Sequence, residues 1–211
     1  MDPTAYLRLA FVGIAICLTG CAGAPHISLS NNVRSELKSV SVSESVQIPD
    51  TLFFFGANQA MFGAIGGGLG GVLGETILDD KTLLKNLLKT NNIAVDKMFR
   101  TQLETDLKKS RLFNVVDTGG DAYFKIAITQ YGLFKRAAFD AALRPAIWAD
   151  VALVKSDNSV LWQKSVAPRG FENRIPAHDF SYYQAHPQAL RESFEQLISI
   201  LTTELLADLQ P

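Results

Sequence analysis

The sequence predicts a two-layer α/β (α+β) domain, a mixed β-sheet packed by helices, with a glycine-rich apolar segment added to it. Three observations carry this expectation. Apolar residues recur at helical spacing from Val95 to Lys109 and again from Pro187 to Leu209. Between those stretches the period changes to two, over Leu112 to Val116, Ala122 to Leu133 and Ile147 to Val166. Within the last of these, Ser156-Asp157-Asn158-Ser159 separates Ile147–Lys155 from Val160–Val166, which is the turn chemistry of a β-hairpin.

At the amino terminus an apolar run from Leu9 to Leu18 follows the leader's single cation, Arg8, and closes on Leu18-Thr19-Gly20-Cys21. The run has the length of a signal h-region and is too short to span a membrane as a mature helix. Small residues directly before a cysteine resemble a bacterial lipoprotein processing site. That resemblance implies removal of residues 1–20, diacylation of the Cys21 thiol and attachment of the chain to a membrane by that lipid. Ala22, rather than aspartate, after the cysteine implies an outer-membrane destination, with the domain on the periplasmic face. An ordinary secretory signal, or a buried helix with an incidental cysteine, is the competing reading.

Composition narrows the function classes. The 211 residues balance 20 Lys and Arg against 21 Asp and Glu, so no global field recruits nucleic acid. Of the two cysteines, Cys17 lies in the leader and Cys21 is the lipid site, which leaves no thiol for a disulfide framework or a thiolate metal centre. The expected division is a signal peptide at 1–20, a tether at 21–39 and a single domain at 40–211.

Residues 22–39 are small and polar with one proline, a composition that buries little and reads as a tether. Val40 to Ile48 alternates and is stopped by Pro49-Asp50, predicting a first strand. Thr51 to Gly74 then runs for 24 residues without a charge and holds eight of the chain's 15 glycines. In a helix, Gly66, Gly70 and Gly74 would form one small-residue stripe and Gly63, Gly67 and Gly71 a second. Such stripes let another backbone approach closely. As a helix the run would reach roughly 36 Å, against about 30 Å for a bilayer core. Glycine costs about 1 kcal/mol relative to alanine in a helix interior, and Asn58 and Gln59 add polar groups that lipid leaves unsatisfied. Contact with a membrane or a neighbouring subunit, a mobile loop, and an apolar hairpin packed on the domain all remain open; the apolar segment extends over 51–77.

Asp80 is the expected N-cap of a helix over Lys81 to Lys89, with Leu83, Leu84, Leu87 and Leu88 on one face and Lys81, Lys85 and Lys89 on another. That basic face suits either anionic lipid or solvent. The helix from Val95 to Lys109 buries Val95, Met98, Phe99, Leu103 and Leu107. Along the strand from Ala122, Phe124, Ile126 and Ile128 share one side and Tyr123, Ala127 and Tyr131 the other. The last helix turns Leu190, Phe194, Leu197, Leu201 and Leu205 to the core. Between sheet and helix, 167–187 carries three prolines and no period; a loop of this length is often functional, and Phe171, Phe180, Tyr182 and Tyr183 are its candidate partner-binding residues.

The order strand, helix, four strands, helix carries local detail that points further. Phe99, Leu103 and Leu107 lead through Ser110 into Phe113-x-Val115-Val116, then Asp121-Ala122-Tyr123-Phe124, and later Arg144-Pro145, Leu153-Val154 and Val160-Leu161-Trp162. This pattern is similar to the curli secretion-channel lipoprotein family and to the amino-terminal domain of TolB, over about residues 93–205. The resemblance implies a periplasmic α/β module that assembles with itself or with envelope proteins. Channel-forming members cross the membrane with alternating β-hairpins, where this chain has a glycine-rich run.

Catalytic apparatus is not visible. There is no Gly-x-Ser-x-Gly and no phosphate loop, and Gly66-x-Gly68-x-x-Gly71 lacks the βαβ setting of a dinucleotide site. His178, Asp179 and His186 fit no metal-ligand spacing, and Trp148 and Trp162 read as packing residues. The expectation is a non-enzymatic, cofactor-free, lipid-anchored envelope protein that works by contact, as a homo-oligomer or in an envelope complex. The alternative is a periplasm-facing binding module, or a transport auxiliary, using 167–187.

Overall fold

The computed structural model describes residues 25–55, 74–135 and 142–210. Among these, five helices and six strands form one sheet with helices packed on one face, the two-layer mixed α/β architecture that the periodicity predicts. In chain order the elements are α1 (Asn31–Glu36), β1 (Ser39–Val42), β2 (Phe53–Phe55), α2 (Gly74–Thr90), α3 (Val95–Ser110), β3 (Asn114–Val115), β4 (Ala122–Lys135), β5 (Leu143–Lys155), β6 (Val160–Val166), α4 (Phe180–Ala185) and α5 (Pro187–Asp208).

The strand order is β3-β1-β4-β5-β6, with β2 also paired to β4. The antiparallel β4–β5 hairpin is the spine, in register from Ala122↔Lys155 to Lys135↔Leu143. The other side of β4 is lined by one stretch of chain running parallel to it: β1 at Val40↔Ala122, a bridge at Gln47↔Ala127, and β2 at Phe53↔Gly132. The expected strand over 40–48 therefore ends early, at Val42. Between Val42↔Phe124 and Gln47↔Ala127 the chain advances farther than β4 does, and the surplus bends outward at Ser43, whose hydroxyl donates to the Ser45 carbonyl at 3.1 Å.

The core lies between sheet and helices. Phe124, Ile126 and Ile128 of β4 and Val151 and Leu153 of β5 are buried against Val95, Phe99, Leu103 and Leu107 of α3 and Leu190, Phe194, Leu197, Leu201 and Leu205 of α5. A bulge at Thr129 shifts the pairing between Ile128 and Gln130, so the inward side of β4 changes parity. Tyr131 and Leu133 thereby join the core side, and Tyr131 is half-buried against it rather than sharing the outer face with Tyr123 and Ala127.

Four further expectations are corrected. Residues 25–39 are not a free tether: Ile27 exchanges two backbone hydrogen bonds of 2.9 Å with Gln163, Leu29 is buried, and the Arg34 guanidinium donates to the Leu209 carbonyl at the end of α5. Scattered single apolar residues found a ready edge on β6, which local composition does not reveal. α2 begins at Gly74, so Asp80 lies inside it rather than capping it; nothing between Glu75 and Asp80 breaks a helix. On that helix Leu84 and Leu88 are buried while Leu83 is exposed, so the four leucines do not share one environment. β5 starts at Leu143 and contains Pro145, tolerated because β6 ends opposite Ala149 and leaves this part of β5 at an edge.

A polar hub ties the two ends together. The Asp208 carboxylate in the last turn of α5 accepts from Trp162 Nε1 at 2.8 Å and Lys164 Nζ at 3.3 Å, and pairs with His26 Nε2 at 3.1 Å. Burial pushes the Asp208 pKa up, but the hydrogen bonds from His26, Trp162 and Lys164 outweigh it and hold the carboxyl below its ordinary value.

Candidate functional site

Cys21, Gly63, Gly66, Gly67, Gly70 and Gly71 lie outside the described residues, and Gly74 is the first residue of α2. The four aromatic residues proposed for 167–187 are described, and the fold separates them. The stretch is not without structure: a 3₁₀ turn over Glu172–Arg174 and α4 interrupt it. It is pinned to the start of β5 by a two-way bridge, Leu143 N–H to His178 O at 2.8 Å and His178 N–H to Leu143 O at 3.1 Å, and to α5 by the Gln196 amide donating to the Arg174 carbonyl at 2.6 Å.

Phe171 is half-buried with the Arg174 guanidinium 5.8 Å from its ring centroid, and Phe180 meets Phe54 edge-on at 5.2 Å. Tyr183 is fully buried, and its hydroxyl donates to the carbonyls of Leu143 at 3.1 Å and Pro176 at 3.3 Å. Burial raises its pKa above the ordinary tyrosine value. The expectation of an exposed pair is thus corrected for Tyr183, because one turn of helix turns adjacent side chains about 100° apart and only one can face out. Tyr182 is the outward one, 43% exposed.

Spacing of four residues places Tyr182 between two imidazoles: His178 stacks on it at 4.3 Å between ring centroids and His186 tilts against it at 4.5 Å. Among the described residues no group of three His, Cys, Asp or Glu is placed to hold a metal. Beside this stack opens a cleft of about 490 Å³ bordered by His178, Asp179, Ser181, Tyr182 and His186. Its chemistry is hydrogen bonding and aromatic contact, the equipment of a recognition surface.

The outer sheet face holds a second arrangement that the periodicity did not single out. Gly132 in β4 lies at φ 156°, between Phe53 of β2 and Ala146 of β5. With no side chain there, the Phe53 backbone approaches β4 closely, and the Phe53 and Trp148 rings meet edge-on at 5.2 Å. Phe134, two residues beyond Gly132 on the same face, extends the ridge, and all three rings are half-buried. A glycine inside an alternating strand is the signal that could have found it. Toward the other end the same face carries Tyr123, Lys125, Asp150 and Gln163 around a shallow groove of about 290 Å³. Trp148 and Trp162 therefore serve different faces: Trp162 is fully buried on the core side.

No family model and no curated protein matches the chain. Solved structures of similar shape include protein XCC0632 from Xanthomonas campestris, of the family DUF330, at 18% identity and TM-score 0.39 over 53% of this chain; the match spans 58% of that protein's length. They also include the PelC dodecamer from Paraburkholderia phytofirmans, at 10% identity and TM-score 0.41 over 89% of this chain and 96% of that one. Lipoprotein GNA1162 from Neisseria meningitidis matches at 15% identity and TM-score 0.27 over 81% of this chain and 99% of that one. Every TM-score is below 0.5, and likenesses of this extent decide nothing about activity or partners.

Proposed function

We propose that this chain is an outer-membrane lipoprotein, attached through Cys21 and facing the periplasm, that acts by contact with copies of itself or with other envelope proteins and not by catalysis. The observation that carries the reading is Leu18-Thr19-Gly20-Cys21 closing an apolar run of h-region length. With residues 27–34 held on the domain, a lipid on Cys21 would keep it within a few residues of the bilayer. The uncharged run from Thr51 to Gly74 is the segment proposed to touch membrane or a neighbouring subunit. The second reading, a binding module, is favoured by exposed Tyr182 beside its cleft.

Labelled palmitate tests the first reading. Wild-type protein is expected to incorporate it and to fractionate with the outer membrane, while Cys21→Ser incorporates none, since only the thiol accepts the diacylglycerol. Label retained by Cys21→Ser would overturn the lipoprotein assignment.

A further inference from the structure

The pairing pattern sends the amino-terminal segment toward one end of the sheet. β6 runs from Val160, beside Val154, to Val166, opposite Ala149. Ile27 pairs antiparallel to it at Gln163, so the chain traced backward from Ile27 to Pro25 travels in β6's own direction, toward Ala149. One residue past Ala149 stands Trp148, and across β4 from it stands Phe53. Cys21 precedes Pro25 by four residues, a reach of roughly 14 Å at full extension. The thiol can therefore lie level with the Phe53–Trp148 ridge or beyond it.

β2 is parallel to β4 and pairs with its last residues, Phe55 opposite Phe134, so the described part of the uncharged run ends level with the aromatic ridge. On that face Arg144 stands opposite Phe134 and Asp150 follows Trp148 at the next position of the same parity, with Lys125 farther along β4. The proposed lipid attachment and three aromatic rings thus lie toward one end of the sheet, where apolar phenylalanine rings suit the acyl boundary and the amphipathic tryptophan the headgroup region of a bilayer. We propose that Phe53, Phe134 and Trp148 form a lipid-facing ridge that seats this end of the sheet on the membrane to which Cys21 is attached; the inference rests on the lipoprotein reading above.

The chain's two tryptophans supply the test, because Trp162 is fully buried on the core side and acts as the internal control. The lipidated protein is placed in vesicles of phosphatidylethanolamine and phosphatidylglycerol, with and without lipid brominated near the headgroup, and compared with Trp148→Phe. Bromine is expected to quench wild-type emission and to leave Trp148→Phe unchanged. Equal quenching of the two proteins, or none in either, overturns the ridge. Flotation of the same samples reports the anchor separately: protein that floats but is not quenched loses the ridge and keeps the anchor, and protein that neither floats nor is quenched loses both. Trp148 shielded from acrylamide without bromine quenching would assign the rings to a protein partner and also overturn the inference.

Discussion

Replacing Gly132 by alanine sets two effects of opposite sign against each other. Strand propensity and unfolded-chain entropy favour alanine by about 0.4–1 kcal/mol where the backbone accepts it. Here it does not: a Cβ on Gly132 would run into the carbonyl oxygen of Phe53, and backbone cannot swing aside as a side chain does. If β2 shifts and stays, the overpacking costs about 1–3 kcal/mol. If β2 leaves β4, Phe54 and Leu52 lose their burial, each worth about 1.5–3 kcal/mol, and the strand's hydrogen bonds add about 1 kcal/mol apiece. The expected destabilisation is therefore about 1–3 kcal/mol if β2 stays and at least about 3–6 kcal/mol if it leaves, against the roughly 5–15 kcal/mol of an ordinary domain. Urea titration followed by circular dichroism measures it. Tryptophan emission locates it, because Phe53 packs on Trp148 and its departure shifts that emission to the red while Trp162 stays buried. A midpoint equal to or above that of the wild type, with emission unchanged, would refute the argument from the Phe53 carbonyl.

The two neighbouring tyrosines are expected to part company. Tyr183→Phe removes the donor to the Pro176 carbonyl and leaves the Leu143 carbonyl with the His178 N–H alone, and should lower stability by about 1–2 kcal/mol, whereas Tyr182→Ala should stay within about 0.5 kcal/mol; equal losses in a urea titration would contradict their assignment to core and surface. Asp208 has a lowered folded-state pKa, so its contribution is present above the unfolded carboxylate pKa of about 3.9 and is lost as pH falls through the folded value. Thermal melts across that acid range should fall more steeply for the wild type than for Asp208→Asn, and parallel curves would remove Asp208 from the acid response.

The legible parts of this fold are those where one period runs unbroken. Phe99, Leu103 and Leu107, and Leu190 through Leu205, repeat at helical spacing and are buried where that spacing puts them. The inward side of β4 is readable only as far as Ile128. Past it the Thr129 bulge, held by the Thr129 hydroxyl donating to the Trp148 carbonyl at 3.2 Å, reverses the faces without any change in residue type. The docking of Ile27 and Arg34 was illegible because their partners, Gln163 on β6 and Leu209 at the end of α5, lie far along the chain. At the candidate site, helical geometry distinguishes Tyr182 from Tyr183, but only once the start and orientation of α4 are known. The Phe53–Trp148 contact depends on a missing side chain at Gly132 and on two strands that flank β4, information no local window contains.

The Asp208 hub has a consequence for the order of events during folding. His26 and Asp208 are separated by 182 positions, and Arg34 donates to Leu209 across 175. Closing so long a loop carries a large entropic cost and slows folding. A chain synthesised amino end first presents residues 26–34 long before Trp162, Lys164 and the last turn of α5 exist to receive them. The first residues made thus wait for the last, and Ile27 settles on the β6 edge only once β6 has formed. A fusion or tag appended after Pro211 would consequently be felt beside residue 26, at the opposite end of the sequence.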